Sequence, residues 1–242
     1  MRPLLDAVGI DVHGAGCDQR ILDMATGPGY GAGEAALRGA IATGLDISGA
    51  MVALASQSFP NATFIEGDGQ NLPFPDENFD VVISNFGMAQ MANPARAIAE
   101  AYRVQSPGGR YGFSLRAEIG KDYNKQMVHS AVRAHGNMNL AMPLVKEEIG
   151  LHEPHEYEPL LKQGGFTKIT TSAVTMIWQP KTDQEILDSA NSGSRSSMLL
   201  GPQTPEAREK IDQAMLDFAA QFKTADGYKI LRFAALLTAQ KE

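Results

Sequence analysis

Three aspartates, Asp23, Asp46 and Asp68, stand 23 and 22 residues apart, each where a short apolar run gives way to small or polar residues. The first run leads into Gly27, Gly29, Gly31 and Gly33, four glycines within seven residues. Glycine lets a chain turn sharply and lets a ligand come within contact of main-chain N–H groups. Gly27-x-Gly29-x-x-Ala32 satisfies a dinucleotide-binding pattern, and Asp46 lies near the distance at which an acid meets a ribose hydroxyl. A nicotinamide oxidoreductase is therefore one candidate. Asp23 argues against it, because a pyrophosphate at this turn would face that carboxylate at a Coulomb cost of about 1 kcal/mol at ~4 Å even in water.

A ligand carrying ammonium and sulfonium charges would instead gain from Asp23, which points to S-adenosylmethionine. The third acid agrees. Asp68 followed by Gly69-Gln70 offers an acceptor for an adenine 6-amino group and a main-chain donor for a ring nitrogen. Ile47, with Met51 beside it, supplies an apolar wall for adenine.

These residues need strands to carry them. Arg20 to Ala25, Ala40 to Asp46, Thr63 to Glu66, Phe79 to Ser84 and Arg110 to Leu115 read as five short strands. Between the first two lies a helix over 32–38 closed by Gly39, and after the second a helix over 49–57 capped by Ser48. Pro94 opens a helix running to Val104, and Pro107-Gly108-Gly109 reads as the turn into the fifth strand. Such alternation is the signature of a parallel sheet covered by helices, with ligands at the carboxyl ends of its strands. Asp80, at the start of a strand and far from that end, reads as a turn-orienting residue.

The 242 residues carry 21 Lys plus Arg against 28 Asp plus Glu, a net charge of −7. No positive field draws the chain to nucleic acid or an anionic membrane. Cys17 is the single cysteine, which excludes an internal disulfide and a cysteine-rich zinc site, and suits a reducing cytoplasm. Neither a signal peptide nor an apolar run of the ~20 residues needed for a membrane span is visible.

The second half is more polar. Residues 117–160 read as an inserted helical or polar cover containing His129, His135, Tyr123, His152 and His155. The two histidines of His152-Glu153-Pro154-His155 are three apart across a proline, unlike the i, i+4 pair of helical zinc sites, so no metal is expected. Residues 161–242 complete the sheet, with a sixth strand from Phe166 to Trp178, a last strand from Tyr228 to Leu237, and two helices between them. One helix has the capping-box residues Thr182 and Glu185, and the other opens at Thr204-Pro205. A cofactor half over 1–116, the cover and the completion over 161–242 make a single domain overall.

Leu22-Asp23-Met24-Ala25-Thr26-Gly27-Pro28-Gly29, Gly44-Leu45-Asp46-Ile47-Ser48, Gly67-Asp68-Gly69-Gln70-Asn71-Leu72-Pro73-Phe74, Phe79-Asp80-Val81-Val82 and Val104-Gln105-Ser106-Pro107-Gly108-Gly109 follow one another within residues 20–116. Together they resemble the successive motifs of class I S-adenosylmethionine-dependent methyltransferases, in the branch that includes quinone and sterol methylating enzymes. The resemblance implies an α/β, Rossmann-like fold whose seven-stranded sheet is mostly parallel with an antiparallel last strand. It implies Asp46 on the ribose hydroxyls, Asp68 near adenine, Gly27 and Gly29 under the methionine part, and Asn85 between cofactor and acceptor. The cofactor set is then Asp23, Ala25, Gly27, Gly29, Asp46, Ile47, Met51, Asp68, Gly69, Gln70 and Asn85.

Asn85 and Tyr30 are candidates to orient an acceptor, and His129 or His135 to act as base where the acceptor must lose a proton. The expected activity is methylation of a small apolar or aromatic molecule on oxygen, carbon or nitrogen. A methyltransferase-like protein that binds the cofactor and promotes a cyclisation or rearrangement is the alternative, and a non-catalytic cofactor-binding domain is another. Thr26, where relatives often have Cys or Ser, should only alter polarity. Only about 19 residues precede the first strand, where many relatives have a longer segment over the cofactor, so either the pocket is open or another element, or a homodimer, covers it.

Overall fold

In a computed structural model of the chain, which describes residues 1–10, 18–116, 123–141, 153–192 and 194–242, the short apolar runs become the strands of one sheet. These are β1 (Arg20–Met24), β2 (Ile41–Asp46), β3 (Thr63–Glu66), β4 (Phe79–Asn85), β5 (Gln105–Arg116) and β6 (Thr167–Trp178). Two short strands, β7 (Lys223–Thr224) and β8 (Gly227–Tyr228), pair separately as a hairpin, and β9 (Ile230–Gln240) completes the sheet. The strand order is β3-β2-β1-β4-β5-β9-β6.

β1 pairs in parallel with both β2 and β4, β2 with β3, and β4 with β5. β9 runs the other way: Gly108 N–H donates to Lys241 O and Lys241 N–H to Gly109 O, both at 2.9 Å. The chain moves outward from β1 to β3 and then returns to β1's other side as β4. That reversal opens a crevice at the strands' carboxyl ends.

The chain divides into two compact units, one of Met1–Arg116, Ile149–Val174 and Ala235–Glu242, the other of Ala117–Glu148 and Thr175–Ala234. The first is built on strict alternation. Ile21, Val81 and Ile83 point to one face, where they meet Leu4, Leu5, Ala32 and Ala35. Leu22, Met24 and Val82 point to the other, against Ile98, Tyr111 and Phe113. A period of two splits each buried strand between two cores, so both faces must be covered by helices.

On the first face lie α1 (Arg2–Ala7) and α2 (Tyr30–Leu37); α3 (Gly49–Ser58) follows β2, and α4 (Pro94–Val104) packs on the second face. Ser48 Oγ accepts the Met51 N–H and Asn93 Oδ1 accepts the Arg96 N–H, the local caps that start α3 and α4. Gly39, φ +91°, closes α2 in the left-handed region.

Two features of the first unit differ from the sequence reading. β5 starts at Gln105, because Pro107-Gly108-Gly109 lies within the strand as a bulge, with Phe79 opposite Gln105 but Val81 opposite Arg110. α1 was not expected; at six residues it is too short to display a helical period, yet it buries Leu4 and Leu5.

The second unit holds α5 (Tyr123–His135) and helices over Asp183–Ser192, Ser194–Leu200 and Pro205–Ala219. Met127, Val128, Val132, Ile186, Leu199, Leu200, Ile211 and Met215 form its core. The helix Ser194–Leu200 makes three between β6 and β7 where two were expected, because the serine-rich stretch around it reads as loop. Among the described residues no helix is long and apolar enough to cross a membrane.

Candidate cofactor and acceptor site

Both central strands end in residues forced into left-handed backbone, Ala25 at φ +55° after β1 and Phe86 at φ +61° after β4. Such conformations cost a non-glycine residue of order 1 kcal/mol or more and collect where a fold must turn sharply around a site. The turns abut, since a β-carbon on Gly87 would stand 2.6 Å from Ala25 Cβ.

Asp23 is 1% exposed, beneath the glycine loop. Its Oδ2 accepts the Thr26 hydroxyl at 2.6 Å and the Ala32 N–H at 3.0 Å. Its Oδ1 is buried, with no hydrogen-bond partner among the described residues. Burial pushes this carboxyl up to about 6, against the pull of those two hydrogen bonds, and the nearby Asp46 charge adds to the rise. Thr26 therefore does more than alter polarity, because its hydroxyl ties the loop to the acid below.

Asp46 is half-buried at the end of β2. Its Oδ2 accepts the Gly27 N–H at 2.8 Å and its Oδ1 the Ser48 N–H at 3.0 Å, so one carboxylate joins the glycine loop to the start of α3. Gly27, φ +55°, has nothing among the described residues within 4 Å of where a β-carbon would stand, leaving an open cradle above the loop. Gly29, φ +87°, is instead closed in by Ala55 and Phe64. Beside the cradle Ile47 is 73% exposed and Met51 39%, two large apolar side chains that no core absorbs.

Beyond β3, Asp68 Oδ1 accepts the Gln70 N–H at 2.8 Å and its side-chain amide at 3.2 Å. Gly69 is buried, with Met91 Cε 2.9 Å from the place of a β-carbon. Three charged residues of α4 grip this loop. Arg96 Nε donates to Gln70 O at 2.7 Å, and Glu100 Oε2 accepts the Leu72 N–H at 2.7 Å. Arg103 donates to the carbonyls of Phe74 and Leu72, and to Asp76 and Glu100. Sequence reasoning missed all three. Charges on one stripe of a helix read as a solvated face unless the segment they bind is known.

Asn85 and Tyr30 line one open cleft of about 330 Å³, together with Met1, Arg2, Glu34 and Phe59. The Tyr30 and Phe59 rings meet edge to face, centroids 5.8 Å apart. Arg2 pairs with Glu34 at 3.3 Å, and Glu34 also accepts from the buried Arg38. Thus α1 is tied to α2 beside the cleft, a contribution that the short leading segment did not suggest.

The other candidates lie elsewhere. His129 and His135 sit on α5 in the second unit; burial, then the charges of Lys125 and Arg133, lowers the His129 pKa, and His135 is exposed. Tyr123 packs at 4.9 Å on Phe222 within that unit's small apolar recess. His155 is exposed, and His152 and Cys17 fall outside the described residues. Asp80 accepts the Arg20 N–H at 2.8 Å and pairs with its guanidinium at 3.0 Å. Burial opposes its charge, but those bonds prevail and hold the carboxyl below its ordinary range.

A sheet of this order, with an antiparallel strand, a glycine loop after β1 and acids at the ends of the next strands, defines the class I S-adenosylmethionine-dependent methyltransferase fold. Residues 22–113 match the family model described as a methyltransferase domain. A demethylmenaquinone methyltransferase of Chlorobaculum tepidum is 41% identical over 93 residues, 38% of this chain and 38% of its own length. Another, of Renibacterium salmoninarum, is 39% identical over 101 residues, 42% of this chain and 43% of its own. The chain thus spans about two fifths of the curated relatives it matches. In fold it is similar to the YcgJ protein of Bacillus subtilis (TM-score 0.59, 18% identity, 98% of each chain). It is similar also to the 4+2 cyclase SpnF (TM-score 0.58, 23% identity, 99% of this chain and 81% of that one). A third is a Haemonchus contortus phosphoethanolamine N-methyltransferase solved with S-adenosyl-L-methionine (TM-score 0.58, 18% identity, 99% and 51%).

Proposed function

We propose that the chain binds S-adenosylmethionine across the carboxyl ends of β1 to β3 and methylates a small apolar or aromatic molecule held in the cleft of Tyr30 and Asn85. The observation that carries this reading is the pairing of an open cradle over Gly27 with a buried, unpartnered carboxylate oxygen on Asp23. A group with a positive charge and room to approach the main chain suits both. Asp46 keeps acceptor capacity for ribose hydroxyls beyond the N–H groups it already takes, Ile47 and Met51 offer adenine an apolar wall, and Asp68 with Gly69 and Gln70 lies at its edge.

When bound, the cofactor supplies a methyl group on a sulfonium. The chain's part is then mainly proximity, orientation and exclusion of water. Tyr30 and Asn85 orient the acceptor. The names of the demethylmenaquinone relatives support a quinol as the first acceptor to try.

The test is incubation of the protein with S-adenosylmethionine and a demethylated naphthoquinol, following both products. S-adenosylhomocysteine formed in step with a methylated quinol is the expected result. Substrate turnover without S-adenosylhomocysteine would replace methyl transfer with a cofactor-assisted rearrangement. Absence of any cofactor binding would remove both.

A further inference from the structure

The register of β4 on β5 sets Asn85 directly opposite Ser114. Ser114 is 1% exposed, and its Oγ accepts the Phe86 N–H at 3.0 Å and bonds Asn85 Oδ1 at 2.8 Å. A main-chain N–H can only donate, so it occupies a lone pair of the hydroxyl and leaves the hydroxyl proton for a second partner. The Asn85 amide oxygen supplies that partner. The reversed amide would leave the buried hydroxyl proton unused, at the cost of an unmade hydrogen bond. Asn85 Nδ2 has no partner among the described residues, and Asn85 lines the cleft.

We propose that Ser114 is a positioning residue that locks the Asn85 amide with its NH2 toward the cleft, so that the cleft selects molecules presenting a hydrogen-bond-accepting oxygen at that point. The inference rests on the reading of this cleft as the acceptor side. It adds a residue that touches neither cofactor nor substrate, and it gives the cleft a polarity. Without Ser114 the amide can turn over and present its own oxygen, which repels the oxygen it would otherwise bind.

Two probes of one shape separate this from a structural role: 2-acetylnaphthalene, with a carbonyl oxygen, and 2-ethylnaphthalene, without one. Each is titrated into the protein saturated with S-adenosylhomocysteine. The wild type should bind the ketone about fivefold more tightly, the increment of one net hydrogen bond. Ser114→Ala should erase that preference while leaving S-adenosylhomocysteine affinity unchanged, and Ser114→Thr, which keeps the hydroxyl, should restore it. Equal affinity of the two probes for the wild type overturns the proposal without any variant having to fold. A preference that survives in Ser114→Ala, or is lost equally in Ser114→Thr, also overturns it. Failure of S-adenosylhomocysteine to bind the wild type counts against the proposed function, and the same probe comparison on the protein alone still decides the role of Ser114.

Discussion

A β-carbon on Gly31 would stand 2.2 Å from Oδ2 of Asp23, so α2 can start over the buried acid only because residue 31 has no side chain. That oxygen is held by Thr26 and Ala32 and has nowhere to retreat. Gly31→Ala should therefore destabilise the protein by about 2 kcal/mol through overpacking. A urea midpoint equal to that of the wild type would refute the contact.

The raised pKa of Asp23 makes stability depend on pH. Between its ordinary 3.8 and about 6 the folded protein holds the proton more firmly than the unfolded chain does. Stability from this group is thus fully present below about pH 4 and lost as pH rises through 6, a change of roughly 3 kcal/mol. Unfolding free energies of wild type and Asp23→Asn, compared from pH 4 to 7, should differ by that downward slope, present only in the wild type.

A positively charged cofactor favours the ionised carboxylate. Its affinity should rise as pH climbs through 6 and level off near 7, an effect that calorimetry would find missing in Asp23→Asn.

Asp46 joins Gly27 to Ser48 and is the acid assigned to the ribose in the proposed function. Asp46→Ala should weaken S-adenosylmethionine binding about a hundredfold, on the scale of two charge-assisted hydrogen bonds. Unchanged affinity by calorimetry would remove the cofactor assignment.

Arg103 fastens the loop after Asp68 by three hydrogen-bond partners, Leu72, Phe74 and Asp76, and is itself held by Glu100 of the same helix. Its side chain is 31% exposed, so solvent screens part of the gain. Arg103→Ala should raise the cofactor Kd about fivefold and expose residues 72–76 to proteolysis, with the unfolding midpoint only slightly lowered. Intact protease resistance there would show that the loop holds itself.

Much of this is local and could be read from spacing. Ser48 before α3, Pro94 and Asn93 at α4, Gly39 after α2 and the period-two runs of β1 and β4 act through residues a few positions apart, and the chain's order carries that information. The three acids belong with these, because each sits at or just beyond the end of a strand. Other relationships join distant residues. Arg103 reaches Leu72 across 31 positions, Ser114 meets Asn85 across 29, and Arg2 reaches Glu34 across 32. No period marks such pairs, and each residue taken alone reads as a solvated charge or a strand serine. Asp23 marks the divide most clearly. Its place at a strand end is visible in one dimension, but its pairing with Thr26 and Ala32, its orphaned Oδ1 and its raised pKa come from burial, which exists only once both faces of the sheet are covered.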